Sequence, residues 1–290
     1  MHAWHDVGIA LPFNVTGEVR TTCPRCSPSR HKSRVTCLAV NTHKGTWYCW
    51  HCGWKGTLHR QHAYHSLTTA SPTPTLQMDI KKRASLDRIW KQSQCIASGD
   101  PVDTYLHQRR LDLGVVTDVP VVLRHHPRLP YLHDTGEWTY HPAMLAAIHD
   151  ACGRFVSIHR TYLSPNGLKA NVPTVKKLMP PATPGATRGG AIRLYEATEI
   201  LAVTEGIETA LAVHLSTGLP VWAAISTSGM KALVVPEVVL TVIICADHDQ
   251  NGAGLDAART LARRMLAEQR RVKILMPDNP GTDWADTLAQ

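Results

Sequence analysis

The run Leu240-Thr241-Val242-Ile243-Ile244-Cys245-Ala246-Asp247-His248-Asp249 decides how the second half of this chain folds. Its first seven residues are almost wholly apolar and β-branched at the centre, as suits a strand buried on both faces, and the apolar stretch stops abruptly at two acids. A strand covered on both faces belongs to a parallel sheet flanked by helices, and the neighbouring sequence supplies them. Upstream, Ile200–Thr204 is an apolar strand ending at Glu205-Gly206. A helix follows from Ile207 to Leu215, stopped near Gly218, and Pro220–Ile225 is another strand before the turn Ser226-Thr227-Ser228-Gly229. Downstream, a helix sets Leu255, Ala258, Leu261, Ala262 and Met265 on one face, and Val272–Met276 is a fourth strand, followed by Asp283-Trp284-Ala285-Asp286. Strands alternating with helices in short units predict an α/β domain over residues 191–290, with a mostly parallel four-stranded sheet and flanking helices.

Ligands of such sheets gather at the carboxyl ends of the strands, where Glu205, Asp247, Asp249, Asp283 and Asp286 fall. Asp247 and Asp249 are two residues apart, so their side chains project to the same side. Adjacent carboxylates repel unless a cation lies between them, and Mg²⁺ or Mn²⁺ suits a site of a few carboxylates completed by substrate phosphates. Glu205, Asp247 and Asp249 are therefore the candidate catalytic residues and magnesium ligands, with Asp283 as a further ligand. Glu205 serves either as a ligand or as a general acid/base. Asp-x-Asp alone carries little information; its order and spacing behind the strand-Glu-Gly unit carry much more.

The amino-terminal residues 1–60 have a different character. Cys23-Pro24-Arg25-Cys26 and Cys49-Trp50-His51-Cys52 are two Cys-x-x-Cys knuckles, each presenting two thiolates on one side of a tight turn. Four facing thiolates make a closed tetrahedral site for structural Zn²⁺, and Gly53 supplies the positive φ that the second knuckle needs. Between them, residues 35–40 and Thr46–Tyr48 read as strands around a turn at 41–45, giving a small β zinc ribbon. Cys37 is the competing ligand, but it falls inside the first of these strands and is read as a buried core thiol. His31, His43 and His51 are read as surface groups, since four thiolates fill the shell. Trp47, Tyr48, Trp50 and Trp54 interleave with Arg25, Lys44 and Lys55, a combination that stacks unpaired bases and holds phosphates, although part of the aromatic set must pack the ribbon's own core.

Residues 61–80 are rich in Ser, Thr, Pro and His and read as a flexible linker. Residues 81–190 read as a mixed α+β region. It is helical over 84–113, with Asp100-Pro101-Val102-Asp103 starting a second helix, then forms strands at Val119–His125, Met144–Ile148 and Phe155–Leu163, with a turn at Asn166-Gly167. Arg124, Arg128, Arg154, Arg160, Lys169, Lys176 and Lys177 recur through it, either as a basic surface for template or nucleotide phosphates or as an ordinary solvated face. Arg124, Arg160 and Lys169 are the candidate contacts, and Pro180 to Gly190 is a loop.

The whole chain has 290 residues, a net charge of +8 and a pI near 9.2. Residues 1–60 hold eight basic side chains against Asp6 and Glu18, which favours a polyanionic partner. The sequence shows no signal-peptide pattern and no apolar run approaching the ~20 residues of a membrane span, so no membrane partner is expected. With four of the eight cysteines in Cys-x-x-Cys pairs, metal binding is favoured over disulfides, and a soluble, cytoplasmic location is expected.

Val203-Thr204-Glu205-Gly206, then Ala246-Asp247-His248-Asp249 with Gly252 and Gly254 opening a helix, resembles the Toprim domain, most of all that of primases from phages, satellite phages and plasmids. His159-Arg160-Thr161-Tyr162-Leu163, with Gly167 and Lys169-Ala170, resembles the region preceding Toprim in that family, and the four-Cys ribbon resembles the primase zinc-binding domain. The resemblance implies Mg²⁺ on Glu205, Asp247 and Asp249. It also implies a DNA primase that joins nucleoside triphosphates on a single-stranded DNA template, with the ribbon helping to choose where synthesis starts. Where the family tends to read Gly-Lys-Asp-Trp-Asn-Asp, this chain reads Gly281-Thr282-Asp283-Trp284-Ala285-Asp286, and the spacing between its cysteine pairs is longer than in many primase ribbons. The chain runs to Gln290 without a helicase domain, so a helicase partner is expected as a separate chain.

Two other readings use the same residues. A Toprim nuclease keeps the acids and the metal but has no evident need for a template-reading ribbon. A non-catalytic recombination or replication factor pairs a four-Cys zinc site with Toprim, but there the zinc site lies close to Toprim and the acids are not a full metal set. A type IA topoisomerase needs a larger gate and a tyrosine domain for which the chain has no room.

Overall fold

The computed structural model of the chain describes residues 4–12, 15–28, 36–58, 74–112, 119–247, 252–277 and Trp284. They belong to two compact units, Met1–Ser71 and Pro72–Gln290.

The amino-terminal unit is a four-stranded antiparallel sheet in the order β1 (Glu18–Thr21), β2 (Leu38–Asn41), β3 (Thr46–Cys49), β4 (Lys55–Thr57). The central pair is the hairpin the sequence predicts; β1 and β4 are additional, and both are too short to show a period of their own. Leu38, Val40, Trp47 and Cys49 point inward and alternate with the outward Ala39 and Tyr48, as strand geometry requires. The inward residues pack with Ile9 and the buried thiols, flanked by Trp4, Trp54 and Leu58. So few apolar side chains make a small core for a fold of this size, the setting in which a metal held by the thiols would add stability.

The second unit holds two sheets. The helix α1 (Pro74–Gln92) starts within the 61–80 segment that composition marks as linker. Proline breaks a helix interior but is well tolerated in the first turn, and Pro74 occupies that position. The helix α2 (Pro101–Gln108) begins as its sequence predicts: Asp100 Oδ1 accepts from the Val102 and Asp103 amides at 2.8 and 2.9 Å. An antiparallel sheet follows in the order β5 (Leu123–Leu132), β6 (Trp138–His149), β7 (Phe155–Tyr162), β8 (Lys176–Leu178). Its first two strands run further than their apolar stretches suggest, because they pair through a long hairpin rich in His, Pro and Tyr.

The second sheet corrects the four-stranded expectation: it has five strands and is mixed. Its order is β13 (Arg271–Leu275), β12 (Thr241–Cys245), β10 (Ile200–Thr204), β11 (Val221–Ala223), β9 (Ile192–Arg193). The first four are parallel, and β9 pairs antiparallel with β11 through Trp222↔Arg193 and Ala223↔Ile192. A two-residue strand has no hydrophobic period to detect. One face of this sheet packs with α3 (Ile207–Thr217), α2 and one face of the antiparallel sheet. The other is covered by α4 (Thr227–Ala232) and α5 (Ala253–Ala267), whose Ala257, Ala258, Leu261, Ala262 and Met265 face inward, while Leu255 is only half-buried. The far face of the antiparallel sheet packs against α1 through Leu86 and Ile89.

Candidate active site and metal cluster

Val203 of β10 pairs with Ile244 of β12, so the chain leaves β10 at Glu205 beside the point where β12 runs on into Ala246 and Asp247. The central strand and its neighbour thus deliver Glu205 and Asp247 to one side of the sheet, where both line a cleft of about 300 Å³. Thr209, in the first turn of α3, donates from Oγ1 to Asp247 Oδ1 at 3.3 Å and orients that carboxylate. The amide of Ile225 donates to the Glu205 carbonyl at 2.8 Å and closes the same side of the cleft. Ile225 has φ of 75°, a conformation that a β-branched residue adopts only where its surroundings impose it, and such strain concentrates at functional sites.

The same cleft is lined by Arg109, which caps the end of α2, by His159 and Lys176 of the antiparallel sheet, and by Lys169 from the connection between β7 and β8. Lys176 is held by Glu208, a buried carboxylate on α3. Its ammonium donates to Glu208 Oε1 and Oε2 at 2.8 and 2.9 Å, and the Tyr105 hydroxyl donates to Oε1 at 2.8 Å. Burial works to raise the Glu208 pKa, but the Lys176 charge and these hydrogen bonds overcome it and hold the carboxyl down at about 2. Burial, reinforced by the Lys176 charge, pushes His159 down to about 4, so its imidazole is neutral at pH 7, and its Nδ1 is buried without a hydrogen-bond partner. The cleft lining therefore combines acids, cations and a neutral imidazole. Two carboxylates of hard oxygen donors in one cleft with cations fit a divalent metal that also carries phosphate oxygens.

The sequence-predicted residues are only partly brought together. Glu205, Asp247 and Lys169 share the cleft; Asp249 and Asp283 lie outside the described residues. Arg124 and Arg160 lie elsewhere, for a reason in the register. His159 pairs with Ala146, whereas Arg160 pairs with Leu145, and successive residues of a strand face opposite sides. His159 consequently points toward the acids. The Arg160 guanidinium instead donates to the Tyr162 hydroxyl and the Leu178 carbonyl, at 3.1 Å each, on the face that carries Leu145 and Tyr162. Arg124 donates to the Ser93 carbonyl at 2.8 Å and lies over the Trp90 ring. The same alternation separates Lys176, in the cleft, from Lys177, whose ammonium sits 3.7 Å from the centre of the Tyr131 ring. Arg109, Glu208, Thr209 and Tyr105 carry no sequence signal for this site, while Lys176 belongs to the recurring basic set and His159 to the segment resembling the region before Toprim. The adjacent Lys176-Lys177 pair was the available signal, but nothing local tells which lysine faces the acids.

In the amino-terminal unit, the Sγ atoms of Cys23, Cys26, Cys49 and Cys52 lie within 4.8 Å of one another. Among the described residues this is the one group of three or more potential ligands close enough to hold a metal. Four thiols on facing knuckles fit tetrahedral Zn²⁺. His43 and His51 are exposed. Trp47 is buried, edge-on to Trp4 and tilted against Trp54, and its indole lies against Gly56, which leaves no room for a Cβ. Trp50 is 66% exposed and packs edge-on with the exposed Tyr48. Arg20, Ala39, Tyr48 and Lys55 align across the four strands, so Arg20, Tyr48 and Lys55 stand in one row on the solvent face, with the Arg20 guanidinium 5.9 Å from the centre of the Trp50 ring. Arg25 is exposed over the Trp54 ring, and Lys44 is exposed on the β2–β3 turn.

Glu205 follows the central strand and Asp247 lies just past the end of the next, with helices on both faces of the sheet, and residues 200–290 match the Toprim domain family. Residues 80–189 match a domain of unknown function (DUF7146). In fold the chain is similar to the zinc-binding and RNA polymerase domains of the Aquifex aeolicus primase, with a TM-score of 0.50 and 16% identity over 98% of this chain and 78% of that one. It is equally similar, at TM-score 0.50 and 16% identity, to a DnaG primase catalytic domain bound to single-stranded DNA, over 73% of this chain and 77% of that one. No curated protein sequence is matched. The chain thus carries a Toprim domain in a DnaG-type primase core fold, together with a four-cysteine cluster suited to a zinc ribbon.

Proposed function

We propose that the protein is a DNA primase, a nucleotidyltransferase that joins nucleoside triphosphates on a single-stranded DNA template. The observation that carries this reading is the lining of one cleft by acids and cations together: Glu205 and Asp247 with Lys169, Lys176 and Arg109. Its volume of about 300 Å³ admits a polyphosphate. The acids, joined by Asp249, would hold Mg²⁺ or Mn²⁺, which when bound neutralises charge developing on the phosphates. Lys176, fixed by Glu208, presents its ammonium to the triphosphate, and Lys169 and Arg109 add further positive charge. In the reaction a 3′-hydroxyl oxygen bonds to the α-phosphorus, the bond to the bridging oxygen of the β-phosphate breaks, and pyrophosphate leaves. His159, uncharged, adds a hydrogen-bonding group without repelling a metal.

The ribbon's row of Arg20, Tyr48 and Lys55, beside Trp50, supports a role in holding the template, with rings for unpaired bases and cations for phosphates. Zinc on Cys23, Cys26, Cys49 and Cys52 would keep that face in shape.

The test is primer synthesis on single-stranded DNA of mixed sequence with labelled nucleoside triphosphates, with and without Mg²⁺. Short magnesium-dependent products, lost in Asp247→Asn while DNA binding persists, are expected. An intact, bound template without product would favour a non-catalytic factor, and a degraded template a nuclease.

A further inference from the structure

Five thiols, not four, meet in the amino-terminal unit. Cys37 Sγ lies 3.8 Å from Cys26 Sγ and 3.7 Å from Cys49 Sγ, and those two lie 3.7 Å apart. Sulfurs held at about 2.3 Å from a tetrahedral zinc stand about 3.8 Å from one another. The Cys26–Cys49 separation and the 3.8 Å between Cys23 and Cys52 have that length. The triangle Cys26–Cys37–Cys49 therefore has the dimensions of one face of a zinc–thiolate tetrahedron, and it shares an edge with the four-cysteine set. Cys37 is buried, and the backbone fixes it there: Leu38 pairs with Cys49 across the sheet, and the Trp50 amide donates to the Cys37 carbonyl at 2.9 Å. The sequence places Cys37 in the core, and it is in the core, in the cluster with Ile9, Leu38, Val40 and Trp47, and also against two of the candidate ligands and 3.9 Å from Ser27 Oγ. Of the four ligands, Cys52 alone is exposed. The thiol that solvent reaches first is thus Cys52, while a buried fifth thiol lies against two of the other three.

We propose that Cys37 is a reserve zinc ligand. When Cys52 leaves the metal, its thiolate takes up a proton or is capped by an alkylating agent. The Cys37 thiol then gives its proton to water and binds in its place, so four thiolates remain on the zinc. This rests on the reading of the cluster as a zinc site.

The test uses the whole protein as wild type, Cys52→Ser, Cys37→Ser and the double variant. Three quantities are read: zinc per chain after dialysis, the rate of zinc transfer to a chromophoric chelator, and the thiolate-to-metal charge-transfer absorption after Co²⁺ replaces zinc. Cys52→Ser is expected to keep one metal with the absorption of four thiolates. The double variant should drop to three-thiolate absorption and release metal roughly tenfold faster or more, the scale on which supporting groups tune metal sites. Loss of metal in Cys52→Ser, or absorption and release there equal to the double variant, overturns the proposal. A wild type without zinc overturns the zinc reading itself, a result distinct from failure in Cys52→Ser alone. As a check that needs no substitution, alkylation of exposed Cys52 in the folded zinc-loaded protein, verified by peptide mass, should leave zinc in place, and its release overturns the role of Cys37.

Discussion

The Lys176 ammonium donates to both carboxylate oxygens of Glu208, 32 residues along the chain, at 2.8 and 2.9 Å, while Tyr105 donates to the same carboxylate from α2, 103 residues away. One buried acid thereby ties α2, β8 and α3 together and fixes a lysine facing the Toprim acids. Glu208→Gln keeps the volume but removes the charge, and is expected to cost about 2 kcal/mol, since the half-exposed Lys176 can turn to solvent rather than remain buried and unpaired. Tyr105→Phe removes one hydrogen bond and should cost about 1 kcal/mol. Urea unfolding checks both, and a rise in KM for nucleoside triphosphates in Glu208→Gln, with the catalytic acids intact, checks the positioning of Lys176.

The same pair sets an acid limit. The Glu208 pKa is lower in the folded protein, at about 2, than its ordinary 4.5. A lowered carboxylate contributes stability that is fully present above its unfolded pKa and is lost as pH falls through the folded one. The stability gap between wild type and Glu208→Gln should therefore be constant above about pH 5 and shrink toward pH 2. A gap that stays level over that range would show that folding does not lower the Glu208 pKa.

His159 runs in the acid direction as well, for a different reason. Its folded pKa of about 4 lies below the ordinary 6.5 because burial, then Lys176, disfavour the cation. The unfolded chain binds the proton more readily between those values, so His159 subtracts stability as pH falls from 6.5 toward 4. His159→Gln should remove that part of the slope, and an imidazole titration by NMR should place the wild-type midpoint near 4.

The ribbon's tryptophans should separate cleanly. Trp50→Ala removes an exposed ring and is expected to weaken single-stranded DNA binding by about 1–3 kcal/mol with zinc content unchanged. Trp47→Ala hollows the core between Trp4, Trp54 and Gly56 and should cost about 3–5 kcal/mol of stability. Fluorescence-anisotropy titration and thermal unfolding of the two variants distinguish the roles, and equal behaviour of both would contradict this division.

Gly167 tests the turn that carries Lys169. Its φ is +76°, and a Cβ would meet the Thr104 side chain at 2.7 Å and the Tyr105 amide at 2.9 Å. Gly167→Ala is expected to destabilise by about 1–3 kcal/mol and to disturb Tyr105, hence Glu208. Thermal unfolding checks the first effect and nucleotide KM the second.

Much of this protein was legible in order of residues alone. A run of β-branched residues ending in acids reads as a buried strand with its acids at the end, because strand burial and strand termination are both local properties; Glu205 and Asp247 follow such strands, and both line the cleft. Two Cys-x-x-Cys knuckles define a four-thiol cluster because each knuckle's geometry is set within four residues. The tertiary structure alone decided which neighbours of a strand pair faced the acids. His159 and not Arg160, and Lys176 and not Lys177, point into the cleft, since alternation follows from the backbone but the side that meets the Toprim sheet follows from packing. It decided the fifth strand β9, too short to show a period, and the start of α1 at Pro74. It also brought Glu208, Lys176 and Tyr105 to one point, and Cys37 to the edge of the thiol cluster. Those meetings depend on register and helix docking between segments distant in sequence, which no local pattern encodes.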